Sequence, residues 1–200
     1  MHKHTKLFFL IISFIILNSC SSRNDRNLTR SYLEEIEELH SWAERIGANK
    51  RYFYLVDFSI HSGKKRMFLY DSEQGEIIRK YMVSHGVGNS ERNHVPISFS
   101  NVPGSLCSSV GMAVLGERAY SNWGINVKYW IDGLEATNSN MRDRLVVLHS
   151  YQGVSNVETY PNPIMKSEGC IMVSDEAMIE IDNLIQSLEN KRVLIYTFKK

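Results

Sequence analysis

A cysteine and a histidine set the chemistry open to this chain. Cys170 lies in Ser167-Glu168-Gly169-Cys170-Ile171, and His149 follows the apolar run Leu145-Val146-Val147-Leu148. The thiolate, not the thiol, is the nucleophile. A free thiol ionises near pH ~8.5, so an imidazole that removes its proton turns a weak nucleophile into an acyl-transfer catalyst. Gly169 has no Cβ and lets the chain turn sharply before the cysteine. Such a turn would aim the Gly169 and Cys170 amides at the oxygen of a tetrahedral intermediate. Spacing does not decide the matter. The chain has three cysteines and seven histidines, and a buried thiol beside an unrelated core histidine fits the same pattern.

Both residues fall where strands are expected to meet loops. Runs rich in Tyr, Phe, Val and Ile predict strands over 52–60, 66–70 and 77–84, joined by the turn residues His61-Ser62-Gly63 and Asp71–Gly75. Short links of that kind predict an antiparallel meander. Further strands are expected at 110–115, 125–131, 145–148, 171–173 and 192–198. Leu28, Tyr32, Leu39, Trp42 and Ile46 recur with a helical period between glutamates, and Gly47 is a natural stop. This predicts a helix over 28–47 whose apolar face covers the outside of the sheet. A short helix is expected over Asn138–Arg144. A longer one is expected over Ser174–Leu188, capped by Ser174 with Asp175 and Glu176 in its first turn. Many strands and few helices predict a mainly β fold with peripheral helices, a mixed β-sandwich or partly closed barrel.

The order of several short motifs adds to this. His149 followed by Ser167-x-Gly169-Cys170 resembles the active-site signature of the YkuD-type L,D-transpeptidase catalytic domain, the enzymes that remodel bacterial peptidoglycan. Phe99-Ser100-Asn101, Ser105, Ser108-Ser109-Val110-Gly111, Asp132-Gly133-Leu134-Glu135, Arg144 and Val147-Leu148-His149 look like its murein L,D-transpeptidase branch. The resemblance runs from about Tyr52 to Val173 and implies a mixed β-sandwich with the active site on its rim. It implies Cys170 as nucleophile and His149 as base, the backbone carbonyl of Ser150 orienting the imidazole, and the Gly169 and Cys170 amides as the oxyanion hole. Spacing does not separate His149 from His85, in Ser84-His85-Gly86; the resemblance favours His149 and leaves His85 to substrate contact or structure. Related enzymes often carry Arg two residues after the cysteine, where this chain has Met172. Arg144 is the expected replacement as anchor of a substrate carboxylate, with a surface salt bridge as its bland alternative. Ser167 is expected to bond within the turn or to substrate. Asn101, Ser105, Ser108 and Ser109 are expected to hold a peptide backbone. Trp123, Tyr129 and Trp130 read as packing rather than a sugar platform.

The implied reaction is attack by Cys170 on the carbonyl at the L-centre of the third stem residue, loss of the terminal D-alanine, and transfer of the acyl group to an amine. Water as acceptor would make an L,D-carboxypeptidase. A carbapenem, a strained acyl donor, is expected to acylate the same thiol. Two readings compete. A catalytically idle peptidoglycan-binding lipoprotein would have no need of the thiol, and a papain-like peptidase would carry its cysteine before its histidine.

At the other end of the chain, Lys3 and Lys6 precede the apolar run Leu7 to Leu17, which is short for a membrane span. Leu17-Asn18-Ser19-Cys20 resembles a bacterial lipobox. Residues 1–19 are therefore expected to be a signal peptide, Cys20 the lipidated new N-terminus and 20–27 a tether, leaving 28–200 as the catalytic domain. A plain cleaved signal and an uncleaved anchor are the alternatives. Ser21 and Ser22 carry no charge that would retain the protein at the inner membrane, so an outer-membrane lipoprotein facing the periplasm is expected.

Two hundred residues, 43% hydrophobic and 22% charged, suit one domain with a core rather than a disordered chain. Loss of Lys3 and Lys6 with the leader would turn the slight excess of 23 basic over 22 acidic residues into a slight acidic one. With no basic stripe, nucleic acid is not an expected partner. No His/Cys/Asp grouping has zinc-site spacing, and the chemistry needs no cofactor. Cys107, among small serines, reads as a buried inert thiol; a disulfide to Cys170 would silence the nucleophile and is not expected.

Overall fold

The computed structural model describes residues 25–88 and 97–200. The expected signal peptide, Cys20 and the start of the tether lie outside the described residues. After a helical stretch over 25–30, the elements follow in the order α1 (Leu33–Ile46), β1 (Tyr52–Asp57), β2 (Met67–Asp71), β3 (Glu76–Tyr81), β4 (Gly111–Tyr120), β5 (Val127–Gly133), β6 (Val147–Ser150), β7 (Ile171–Val173), α2 (Asp175–Ser187) and β8 (Val193–Phe198). The strands form one sheet in the order β3-β2-β1-β8-β4-β5-β6-β7. The expected meander is present as β1–β2–β3, paired antiparallel. The last strand, β8, inserts between β1, which it meets parallel, and β4, which it meets antiparallel.

Central strands are apolar on both sides, and the alternation divides them between two cores. Phe53 and Leu55, with Met112, Val114 and Leu194, face α1, whose Ile36, Leu39 and Ala43 cover them. Tyr54 and Val56, with Ala113, Leu115 and Ile195, face the opposite core, where Met178, Ile181 and Ile185 of α2 close the layer. The two edges of the sheet meet. Beyond β3 the chain runs beside the lead-in to β7: Ser84 N donates to Met172 O at 2.9 Å, Val87 N to Ser167 O at 2.7 Å, and Ser167 N to His85 O at 2.8 Å. The fold is thus mainly β with peripheral helices, one sheet curled into a partly closed barrel rather than two separate sheets.

Three local expectations change. The helix expected over 28–47 is interrupted by a turn at 31–32, where Tyr32 swings inward and donates to Asp57 Oδ2 at 2.9 Å; Gly47 ends it as expected, with a φ of 62°. Asn138–Arg144 forms turns and no helix. The cause is the fully buried Asn138, whose Oδ1 accepts from Glu135 N at 2.9 Å while its Nδ2 donates to Met112 O at 2.9 Å, a side-chain competitor to helical hydrogen bonding. Leu145 is exposed at a φ of 59°, so the histidine strand begins only at Val147. Ser174 caps α2 as expected, accepting from Ala177 N.

Candidate active site

The site rests on the parallel pair β6 and β7, in register at Leu148↔Ile171 and His149↔Met172. Leu148 and Ile171 point into the core. Residues alternate along a strand, so His149 and Met172 face the other way, and so does Cys170, one pleat before Met172. The two sequence candidates therefore share a face, and both line the same clefts.

His149 is buried, and its Nδ1 lies 2.9 Å from the Ser150 carbonyl oxygen. A carbonyl only accepts, so Nδ1 carries the hydrogen and Nε2 is the basic nitrogen. Burial holds the imidazole pKa below its ordinary value; the Ser150 contact opposes this, and the charge of Lys128 adds to it. Burial also pushes the Cys170 thiol up. The Val147 backbone and the cations Lys128 and Arg144 draw it down, and Glu168 raises it. Cys170 Sγ lies 3.8 Å from the carbonyl oxygen of Leu145.

These opposed shifts favour a resting neutral thiol and neutral imidazole over an ion pair. Alkylation of Cys170 by iodoacetamide is therefore expected to keep accelerating above pH 9, because the thiolate fraction grows until pH passes the raised thiol pKa. Stopped-flow or mass-resolved labelling from pH 6 to 10 checks this; a rate already flat by pH 8 contradicts it. Cys107, the other described free thiol, is buried and gives little background.

The turn before the cysteine differs from expectation. Ser167 Oγ donates to Cys170 O at 2.6 Å and accepts from Gly169 N at 3.2 Å. The Gly169 amide is engaged within the turn and not aimed at a substrate oxygen, which leaves the Cys170 amide as the candidate oxyanion donor. The Ser167 hydroxyl braces that turn and is not available as a ligand. Gly169 has a φ of 112°, and a Cβ there would lie 2.9 Å from Cys107 O, so both conformation and close approach call for glycine.

The other expected ligands are also parts of the frame. The Arg144 guanidinium donates to Ser100 O at 2.7 Å, Cys107 O at 2.6 Å, and the hydroxyls of Ser105 and Ser109. It gathers the 100–109 loop with bonds from both terminal nitrogens and is not a surface salt bridge. Asn101 bonds to Ala136 O, Ser139 Oγ and Asn140 N, tying that loop to the 136–140 turns. Ser109 donates to Ser100 O, and the buried Ser108 hydroxyl accepts from Gly86 N at 2.9 Å. His85 is buried with Nδ1 2.9 Å from Arg66 Nη2. Burial first, then Arg66 and Lys166, depresses it to about 3, so it is neutral and structural. These polar side chains satisfy backbone groups that would otherwise be buried unpaired.

Two clefts meet at the pair. One, of about 430 Å³, is walled by Val87, Tyr151, Met165 and Glu168. The other, of about 330 Å³, is walled by Tyr120, Ser121, Asn122 and Lys128. Trp123, His149 and Cys170 border both. Trp123 is 57% exposed and stands edge-on to Tyr151 at 5.6 Å, so it is a rim residue, while Tyr129 is core. Its loop is pinned behind the histidine by Ile125 N donating to Ser150 Oγ at 3.0 Å. Lys128, Tyr151 and Met165 were not visible as site residues in the sequence. Lys128 had one signal, its place on the polar phase of Val127/Tyr129/Ile131, but only the register sets it opposite His149. Among the described residues no group of His, Cys, Asp or Glu is arranged to hold a metal ion, and no helix is long and apolar enough to cross a membrane.

A curled, mainly β domain with a cysteine and an oriented histidine at the junction of two clefts is the class that fold and site define. Residues 24–197 match the L,D-transpeptidase catalytic domain, and the chain belongs to that family. Among solved structures it is similar to the helical cell shape determining protein Pgp2 of Campylobacter jejuni, at 14% identity and a TM-score of 0.47, covering 75% of this chain and 47% of that one. It is also similar to the Ldtfm-avibactam carbamoyl enzyme, at 12% identity and a TM-score of 0.45, covering 76% and 50%. The L,D-transpeptidase of Xylanimonas cellulosilytica matches at 13% identity and a TM-score of 0.37, covering 79% and 68%. The chain thus spans about half the length of the first two. No curated protein matches it.

Proposed function

We propose that the chain is a peptidoglycan L,D-transpeptidase in which Cys170 and His149 carry the acyl group and the proton. The observation that carries this reading is the orientation of His149: Nδ1 tied to the Ser150 carbonyl, Nε2 left for a cleft that Cys170 also lines. Nε2 takes the thiol proton as Sγ attacks the carbonyl at the third stem residue's L-centre. The Cys170 amide donates to the oxyanion. Nε2 then returns the proton to the nitrogen of the departing D-alanine, leaving a thioester. An acceptor amine adds to the thioester and gives up its proton to Nε2, and the thiol is restored. No metal or cofactor takes part. The two clefts support a transferase over a hydrolase, since the acyl group can stay in one while the leaving amine gives way to an acceptor amine in the other. A carbapenem adds to the same thiol as a stable acyl adduct. Lipidation of Cys20, with 20–27 as tether, would hold the domain on the periplasmic side of the outer membrane.

Mass spectrometry of products from a purified disaccharide-tetrapeptide tests the reading. Cross-linked dimers are expected. Tripeptide with free D-alanine and no dimer would reassign the chain as an L,D-carboxypeptidase, and substrate bound but recovered intact would make it a binding lipoprotein.

A further inference from the structure

With Arg144 committed to the 100–109 loop and Met172 following the cysteine strand, the terminal carboxylate of a stem peptide needs another cation. We propose that Lys128 is that anchor and that the smaller cleft is the subsite for the terminal D-alanine. The inference rests on the stem-peptide reading above.

Three observations carry it. Lys128 on β5 is the direct cross-strand partner of His149 on β6, and opposed residues of an antiparallel pair project from the same face with Cβ atoms about 5 Å apart. In the leaving D-alanine the nitrogen and the carboxyl carbon are separated by one Cα, about 2.5 Å. The nitrogen that His149 protonates therefore brings its carboxylate within a few ångströms of the imidazole, and a cation that holds it must neighbour the histidine. Second, the cleft that Lys128 lines contains Ser121 and Asn122 but no carboxylate side chain, so it favours an anion; in the larger cleft the one lysine, Lys166, stands two residues from the Glu168 carboxylate. Third, Lys128 Nζ rests 4.4 Å from the centre of the Trp130 ring, and no salt bridge engages it among the described residues. An aromatic face steers an ammonium without neutralising it, so the charge stays available to a ligand.

Binding decides the point independently of catalysis. In a Cys170→Ala background, calorimetry compares a stem tetrapeptide bearing a free terminal carboxylate with the same peptide ending in a carboxamide. The acid is expected to bind about ten- to hundredfold more tightly, the range of one hydrogen-bonded charge pair. Lys128→Gln is expected to bind acid and amide alike, and Lys128→Arg to keep the preference. An undiminished preference in Lys128→Gln overturns the anchor while leaving the stem-peptide reading in place. Failure of the parent to bind either peptide overturns both.

Discussion

A Cys170→Ala protein is expected to form no dimer and release no D-alanine, and His149→Gln to lower kcat about 10²–10⁴-fold at pH 7, the usual worth of a positioned general base. Burial pushes the thiol's pKa above its ordinary value, so unaided it is almost wholly protonated at neutral pH. On the proposed mechanism the imidazole must take the proton as the bond forms. It can do so because burial and then Lys128 hold its pKa below the ordinary value, which keeps Nε2 unprotonated at neutrality and places the acid limb of the wild-type kcat/KM profile below that of a free imidazole. Without the base, the rate depends on thiolate alone and should climb with pH towards the raised thiol pKa, narrowing the gap to wild type. Pre-steady-state acylation measured from pH 5 to 10 separates these behaviours. A His149→Gln deficit that stays constant across that range would contradict a base role and point to a structural one.

What was legible in the sequence was local. The meander β1–β3, the three residues of β7, the stop at Gly47 and the cap at Ser174 follow from side-chain pattern and turn chemistry within a few residues of each. The pairing of β8 between β1 and β4 has no such trace, because it joins residues 78 to 141 positions apart. The site divides in the same way. Cys170 and His149 stood out through the motif around them, since type and spacing alone also fit an unrelated core pair. Asn101, Ser108, Ser109 and Arg144 stood out as polar residues of the resembling motifs and His85 as a rival base, yet a polar side chain that binds a ligand and one that satisfies a buried carbonyl have the same spelling. Which of the two it is depends on which backbone groups the fold leaves unpaired, and that is a tertiary property. Lys128 went unnoticed for the converse reason: its importance lies in the residue across the ladder.

Arg144→Met is accordingly expected to unsettle the fold as well as the chemistry, with a loss of about 3–5 kcal/mol in urea unfolding. Its guanidinium holds two carbonyls and two hydroxyls of one loop, and hydrogen bonds to a charged donor contribute roughly 1.5–3 kcal/mol each before relaxation and water recover part of the loss. Methionine fills the space but leaves Cys107 O without its partner and Ser100 O with Ser109 Oγ alone. The damage reaches the nucleophile by a short path. A Cβ at Gly169 would lie 2.9 Å from Cys107 O and 3.5 Å from Arg144 Nη2, so the turn that presents Cys170 rests directly on the loop that Arg144 gathers. Arg144→Lys should rescue little, because one ammonium cannot reach four partners spread around a planar fork. A substrate anchor would behave otherwise: its removal would raise KM, leave the urea midpoint unchanged, and be partly repaired by lysine. Measuring the unfolding midpoint and KM on the same two variants therefore distinguishes a frame residue from a ligand, and the arrangement of the four bonds predicts the frame.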